Sequence, residues 1–320
     1  MTITVYKSND ASAPVLSGQA GAMAGVLDAC LVNGYGAKAA AGWATAFTGT
    51  NLRAYQPASG NRLYLALDDT GTTSCRLVGY EAMSAVSTGT GPFPTALQVS
   101  GGLFCLKSTT ADATARPWMV IADATFAYVF TYDAQTAIPN TAATDSGFIF
   151  GDILSLKSGD AYGTILIASA TGTGSVSPLG SVTSGITFVG TLGHYIPRLY
   201  TQTGTAQQVE KDVATRSGNS VFAQLGNDST APIFPDPITG GMTLCETFIC
   251  ENLSSTRGTR GKIPGLYHLQ HNASSLSAAF TNQDTIAGTG VYAGTTYMLL
   301  RAYGAGSAAY CAIQITGTWA

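Results

Sequence analysis

The 320-residue sequence predicts a mainly β fold: antiparallel sheets in a sandwich or barrel-like arrangement, with one short N-terminal helix and few others. Three observations predict it. Near the start, only LSGQAGAMAGVLDACLVNGYG (16–36) carries apolar residues at helical spacing. From Thr50 onward the apolar period shortens to two. Between these period-two runs lie connectors of Gly, Thr, Asp and Ser, the residues that turns favour.

In the helix, Ser17 is the expected N-cap, with Gln19 close behind it. Ala20, Met23, Val26, Leu27, Cys30 and Leu31 form one apolar face, and Gly34 after Asn33 is a good stop because both tolerate positive φ. Gly21 and Gly25 each weaken a helix by roughly 1 kcal/mol relative to Ala. Their presence predicts another backbone packed close against that small-residue face.

The strands follow in order. Leu63, Leu65 and Leu67 of RLYLALD share a face, and CRLVGYE after the DDTGTTS connector makes a hairpin with it. LQVSGGLFCLK (97–107) reads as a strand broken by Gly101-Gly102. PWMVIAD and TFAYVFTY form a hairpin across Asp123-Ala124, and FIFGDILSL pairs with YGTILIA across KSGDA. In TFAYVFTY, Phe126, Tyr128, Phe130 and Tyr132 occupy one face, with Ala127 and Val129 on the other. This aromatic stripe is expected to pack between sheets, the alternative being a flat face for a partner or a sugar. HYIPRLYTQ (194–202), TLCETFICEN (243–252), TYMLLRAY and AYCAIQITG supply the later strands. The polar stretch 171–186 suggests a loop or linker between β-rich units over 1–170 and 187–320, or a loop within a single unit.

Composition narrows function. Charged residues make up 10% of the chain, the net charge is −3, and Gly (38) and Thr (42) are abundant. Solubility therefore rests on hydroxyls and backbone, which suits a surface covered by other copies or other chains. No field draws the whole chain to nucleic acid or to an anionic membrane. No apolar run is long enough for a transmembrane helix, and MTITVYKSND has no signal-peptide pattern. The Asn-x-Ser matches at Asn227, Asn252 and Asn272 then read as chance. Cys30, Cys75, Cys105, Cys245, Cys250 and Cys311 are scattered among apolar neighbours, as buried free thiols are.

No constellation specifies catalysis, a cofactor or a metal site. His268 and His271 form H-x-x-H, which could share a metal only on a helix, and Pro264-Gly265 lies just upstream. His194 lacks a nucleophile in a recognisable setting. Glycine-rich pieces such as TGTGS lack the strand-to-helix context of a phosphate cradle. Asp152, Asp160, Glu246 and Glu251 cannot be paired as acid and base from sequence, so glycan cleavage is the enzyme class hardest to exclude. Arg257, Arg260 and Lys262 in RGTRGK read as an interface or a solvated loop rather than a nucleic-acid contact.

One resemblance adds to this. Val15 to Gly18, Leu27 to Ala29, Asn33 to Gly36 and Gly42-Trp43 occur in an order that resembles the N-terminal part of virion structural proteins of tailed bacteriophages. The likeness continues through Asp68-Asp69, Arg76, Gly79-Tyr80-Glu81 and Gly91-Pro92-Phe93-Pro94, and more loosely through FGDILSLKSGDAYGT and RGKIPGLYHLQH. It implies a non-enzymatic building block of the tail tip or baseplate, made in the host bacterial cytoplasm. Expected partners are other copies of itself, other tail or baseplate proteins and a host surface receptor, with no nucleic acid and no membrane insertion. A trimer is compatible with such assemblies, although no residue pattern specifies three. A receptor-binding tail protein that touches a host surface glycan or pilus, a capsid decoration or head fibre, and a surface-depolymerising tail enzyme are the rivals.

Overall fold

The computed structural model describes residues 2–96, 102–132, 146–168, 170–171, 198–200, 206–213, 232–253, 256–301 and 310–319. The chain is mainly β, and its sheets are antiparallel and open rather than closed into a barrel. Among the described residues the strands are β1 (Thr4–Lys7), β2 (Ala44–Gly49), β3 (Leu52–Gln56), β4 (Tyr64–Asp68), β5 (Ser74–Ala85), β6 (Thr88–Phe93), β7 (Leu103–Leu106), β8 (Trp118–Ala122), β9 (Phe126–Thr131) and β10 (Ser146–Asp152). The remainder are β11 (Leu154–Ser155), β12 (Thr164–Ala168), β13 (Ala170–Thr171), β14 (Arg198–Tyr200), β15 (Ala206–Val213), β16 (Leu244–Leu253), β17 (Thr256–Leu269), β18 (Thr285–Ala287), β19 (Thr296–Arg301) and β20 (Tyr310–Gln314).

They stack in three layers. A central sheet runs β1-β8-β9-β10-β12-β14 and continues through β15 into a C-terminal sheet, β16-β17-β20-β19-β18, with β11 added to β17. A separate N-terminal sheet runs β13-β7-β5-β4-β3-β2, with β6 beside β5. The central strands explain the stacking because both of their faces are apolar. Trp118, Val120, Ala122, Ala127, Val129, Phe148, Phe150, Leu166 and Ala168 meet Leu65, Leu67, Leu77 and Leu103 of the N-terminal sheet. On the opposite face Met119, Ile121, Phe126, Tyr128, Phe130, Ile149, Ile165 and Ile167 meet Ile249, Ile263, Leu266, Met298, Leu300 and Ile313. Strict alternation thus serves two cores, as expected of strands buried on both sides. The aromatic stripe is core: Phe126, Tyr128, Phe130 and Tyr132 are all buried, and Tyr128 donates its hydroxyl proton to the Pro264 carbonyl at 2.6 Å.

The predicted hairpins form. Leu67 pairs with Leu77 across β4 and β5, and Trp118 with Thr131 across β8 and β9. Asp123 Oδ1 closes the second turn by accepting from the backbone N–H groups of Thr125 (2.7 Å) and Phe126 (2.9 Å). β10 pairs with β12 as expected, but Leu154 and Ser155 leave that pairing to join Lys262 and Gly261 of β17. Position 261 needs glycine there, since a Cβ would lie 2.5 Å from the Leu154 carbonyl oxygen. Of LQVSGGLFCLK only the part from Gly102 lies within the described residues, where Leu103–Leu106 is β7. Apart from Thr171, the stretch 171–186 lies outside them.

The N-terminal helix needs two corrections. It spans Ala22–Leu27 (α1), not from Ser17, and passes into a π-helical turn over Asp28–Asn33 that Gly34 ends at φ 76°. Met23, Val26, Leu27, Cys30 and Leu31 are buried as predicted, whereas Ala20 is exposed. Gly21 holds the cap position at φ 83° and offers no side chain, so the cap comes from elsewhere: Asp69 Oδ2 accepts from Ala24 N–H at 2.9 Å. The close-packed backbone expected along this face is absent at Gly25, whereas Gly21 has the Asp69 carbonyl against it, accepting from its N–H at 2.9 Å. A Cβ at Gly21 would meet the Asn51 side chain, and one at Gly25 would meet nothing within 4 Å. Position 21 therefore needs glycine for its left-handed conformation, and position 25 does not need it. Gly25→Ala is expected to stabilise the fold by about 0.5–1 kcal/mol, read as a higher urea midpoint with an unchanged m-value.

A second helix, α2 (Ala273–Ala279), covers the outer face of the C-terminal sheet and packs Leu276 against Leu244, Leu269 and Leu299. Asn272 caps it by accepting from Ser275 N–H at 2.8 Å.

Candidate functional site

The side chains singled out in the sequence are largely spent on structure. Asp160 and Arg260, both almost fully buried, form a two-pronged ion pair at 2.5 and 2.8 Å. Burial pushes the Asp160 carboxyl up, but the Arg260 guanidinium, the Ser155 hydroxyl and the Tyr162 N–H together hold it below its ordinary value. RGTRGK is therefore part of strand β17 and not a loop, and Arg260 joins β17 to the β11–β12 connection. Lys262 pairs with Glu246 at 2.7 Å. Asp152 accepts from Thr164 Oγ1 at 2.5 Å and from Asn61 N–H at 2.6 Å, and burial raises its pKa. Each of the three carboxylates has its own hydrogen-bond partner, and the nearby Asp160 charge adds to the rise at Asp152. The side chains of Glu251 and Arg257, and all of His194 and TGTGS beyond Thr171, lie outside the described residues.

H-x-x-H does not converge. His268 is on β17, opposite Cys245 on β16 and Cys311 on β20. His271 lies past the strand end, where its Nε2 accepts from Thr243 N–H at 2.8 Å and its Nδ1 donates to the Ile233 carbonyl at 3.0 Å. Among the described residues no three ligand-type side chains converge on a point that could hold a metal. Burial holds the His271 pKa below its ordinary 6.5. A folded-state pKa below the unfolded one means that the unfolded chain takes up the proton first. Stability is then retained above about pH 6.5 and falls as pH drops below it, until folded His271 also protonates. Urea titrations from pH 7.5 to 5 are expected to show this loss, and His271→Gln to flatten that part of the profile. Cys30, Cys75, Cys105, Cys245 and Cys311 are buried free thiols.

The sequence reading missed the outer face of the N-terminal sheet. There the register aligns three rows. Leu52, Asp68, Arg76 and Phe104 form one, and Phe47, Ala54, Ala66 and Val78 the next. Tyr64, Tyr80 and Pro92 form the third. The middle row is mostly small, so it makes a trough between the outer two. The β5–β6 hairpin folds back over it, bringing Val86 to the β2–β3 turn: a Cβ at Gly49 would lie 3.4 Å from Val86 Cγ1. The result is a cavity of about 120 Å³, with Ala66 and Val78 on its floor, Asp68, Arg76 and Tyr80 on its sides and Ser87 at its rim. Asp68 is oriented by Thr70, whose N–H (3.1 Å) and hydroxyl (2.6 Å) both donate to Oδ1. Phe47, Tyr64, Tyr80 and Phe104 on this face are only half-buried. Strand alternation could have signalled the face, because Tyr64, Ala66 and Asp68 are the positions of β4 that alternate with its core leucines. The folded-back hairpin had no signal. No family model matches the chain, and no curated protein matches it.

Proposed function

We propose that this protein is a structural component of a tailed-bacteriophage virion, at the tail tip or baseplate, where it assembles with copies of itself and supports attachment to the host. The observation that carries the reading is the outer face of the N-terminal sheet, with four half-buried aromatic side chains on a chain that is only 10% charged. A sheet face of that kind suits burial against a neighbouring chain, where aromatic residues are enriched and charges depleted. The sequence likeness over residues 15–94, which includes β2 to β6, supplies the kind of particle. The three-layer body supports a mechanical role, because a central sheet packed on both faces resists shear between its neighbours.

Mass spectrometry of gradient-purified particles from cells that make this chain tests the reading. Its peptides are expected at the abundance of a structural protein, and their absence removes the reading. A second reading has the protein itself touch the host receptor, and the roofed cavity favours it. Binding of the purified protein to host cells is the expected result in that case. Particle incorporation without cell binding leaves the structural role alone.

A further inference from the structure

We infer that the roofed cavity on the N-terminal sheet is a binding site for a single pyranose ring of a neutral glycan. Four features lead there. The cavity, about 120 Å³ and open on one side, is of the size that takes one small ring. Its polar groups are complementary and balanced. Asp68 keeps Oδ2 free of the Thr70 bonds, as an acceptor. The exposed Arg76, directly across the register from it, has no carboxylate partner among the described residues and offers donors. Sugar hydroxyls both donate and accept, so a polyhydroxyl ligand can use both groups.

The charge balance also argues against the simpler ligands. A phosphate drawn to Arg76 would meet the Asp68 carboxylate, and a cation drawn to Asp68 would meet the Arg76 guanidinium. A neutral polyhydroxyl ligand meets neither penalty. Finally, the floor is apolar and one wall is aromatic, as the C–H face of a pyranose requires. The Tyr80 ring is held by its neighbours: it lies over Gly89, where a Cβ would come within 2.5 Å of the ring.

This inference rests on the cavity and not on placement in a virion, and it requires that the neighbour proposed for this face leave the cavity mouth open. Saturation-transfer NMR on the full chain, with a panel of neutral hexoses and hexosamides alongside glycine, alanine and inorganic phosphate, tests it. The expected result is transfer to ring protons of at least one neutral sugar, with Kd on the order of 1 mM for a single ring. Asp68→Ala and Arg76→Ala are each expected to weaken that binding at least tenfold. Ser87→Trp, which fills the rim and leaves both polar groups intact, is expected to abolish it while the thermal melt stays close to that of the parent. Binding of none of the sugars would overturn the proposal. So would binding of amino acids or phosphate in their place, or sugar binding that survives Ser87→Trp and Asp68→Ala in folded protein.

Discussion

Lys107→Met is expected to lower the unfolding free energy at neutral pH by about 3–5 kcal/mol, the cost of stranding a buried charge. Lys107 and Asp69 are both fully buried and form an ion pair. The ammonium also donates to the Gln19 and Gly71 carbonyls, each at 2.8 Å, so its three protons have three acceptors. The Asp69 carboxylate in turn caps α1 through Ala24 N–H, and its backbone carbonyl accepts from Gly21 N–H at 2.9 Å. One pair therefore ties the β4–β5 connection, the end of β7 and the start of α1 together. Burial raises the Asp69 pKa even against the pull of Lys107 and of the Ala24 and Met23 N–H groups. Removing Lys107 leaves burial with less opposition and raises it further. An acid whose folded pKa exceeds its unfolded one binds more protons when folded, so stability is regained as pH falls through that pKa. The Lys107→Met penalty is thus expected to be smaller at pH 4.5 than at pH 7. Adding Asp69→Leu should recover part of the loss, because the unpaired charge is gone. Recovery stays partial because Ala24 N–H and the two carbonyls lose their partners. Urea unfolding of the three variants at both pH values measures this.

Phe150→Ala is the second large effect, at about 3–5 kcal/mol for a buried aromatic truncated to a methyl group. Phe150 sits on β10 of the central sheet, stacked 6.3 Å from Phe93 of the N-terminal sheet and edge-on to Trp43 at 5.9 Å. Trp43 is itself anchored by its Nε1–H, which donates to the Asp123 carbonyl at 2.7 Å. The cavity would open between two layers that share no hydrogen-bonded strand and are held by packing and by a few side-chain hydrogen bonds, such as Trp43 to Asp123 and Leu106 N–H to Ser146 Oγ at 2.9 Å. Near-UV circular dichroism and the Trp43 emission should change with it. Ile149→Val, one residue away and facing the other core, is expected to cost about 0.5–1.5 kcal/mol and leave both signals in place.

Much of this architecture was legible because it is periodic. Leu63, Leu65 and Leu67 and the aromatic stripe declared their faces by alternation. The unbroken apolar runs WMVIA and TILIA went further, since strands with no polar face need a layer on each side. Non-local partners were not legible. The cap of α1 is Asp69, distant in the chain, so Ser17 was the better local candidate and the wrong one. Asp160 and Arg260 are hydrogen-bonded although 100 residues apart, and nothing in RGTRGK alone separates a buried strand from a basic loop. α2 had its signal in Asn272 followed by Ala-Ser-Ser, but it carries neither charges nor a long apolar period, and no helix was expected there. The cavity needed both a register and a hairpin bent back over it, and neither is written in any single stretch.

We propose that the chain is built into the tail of a phage particle. Gold-labelled antibody against the purified protein, applied to intact particles and viewed by electron microscopy, tests it most directly. Gold at the tail tip or baseplate is the expected result. Gold on the capsid, or no label on particles that do carry an established tail protein, would contradict it.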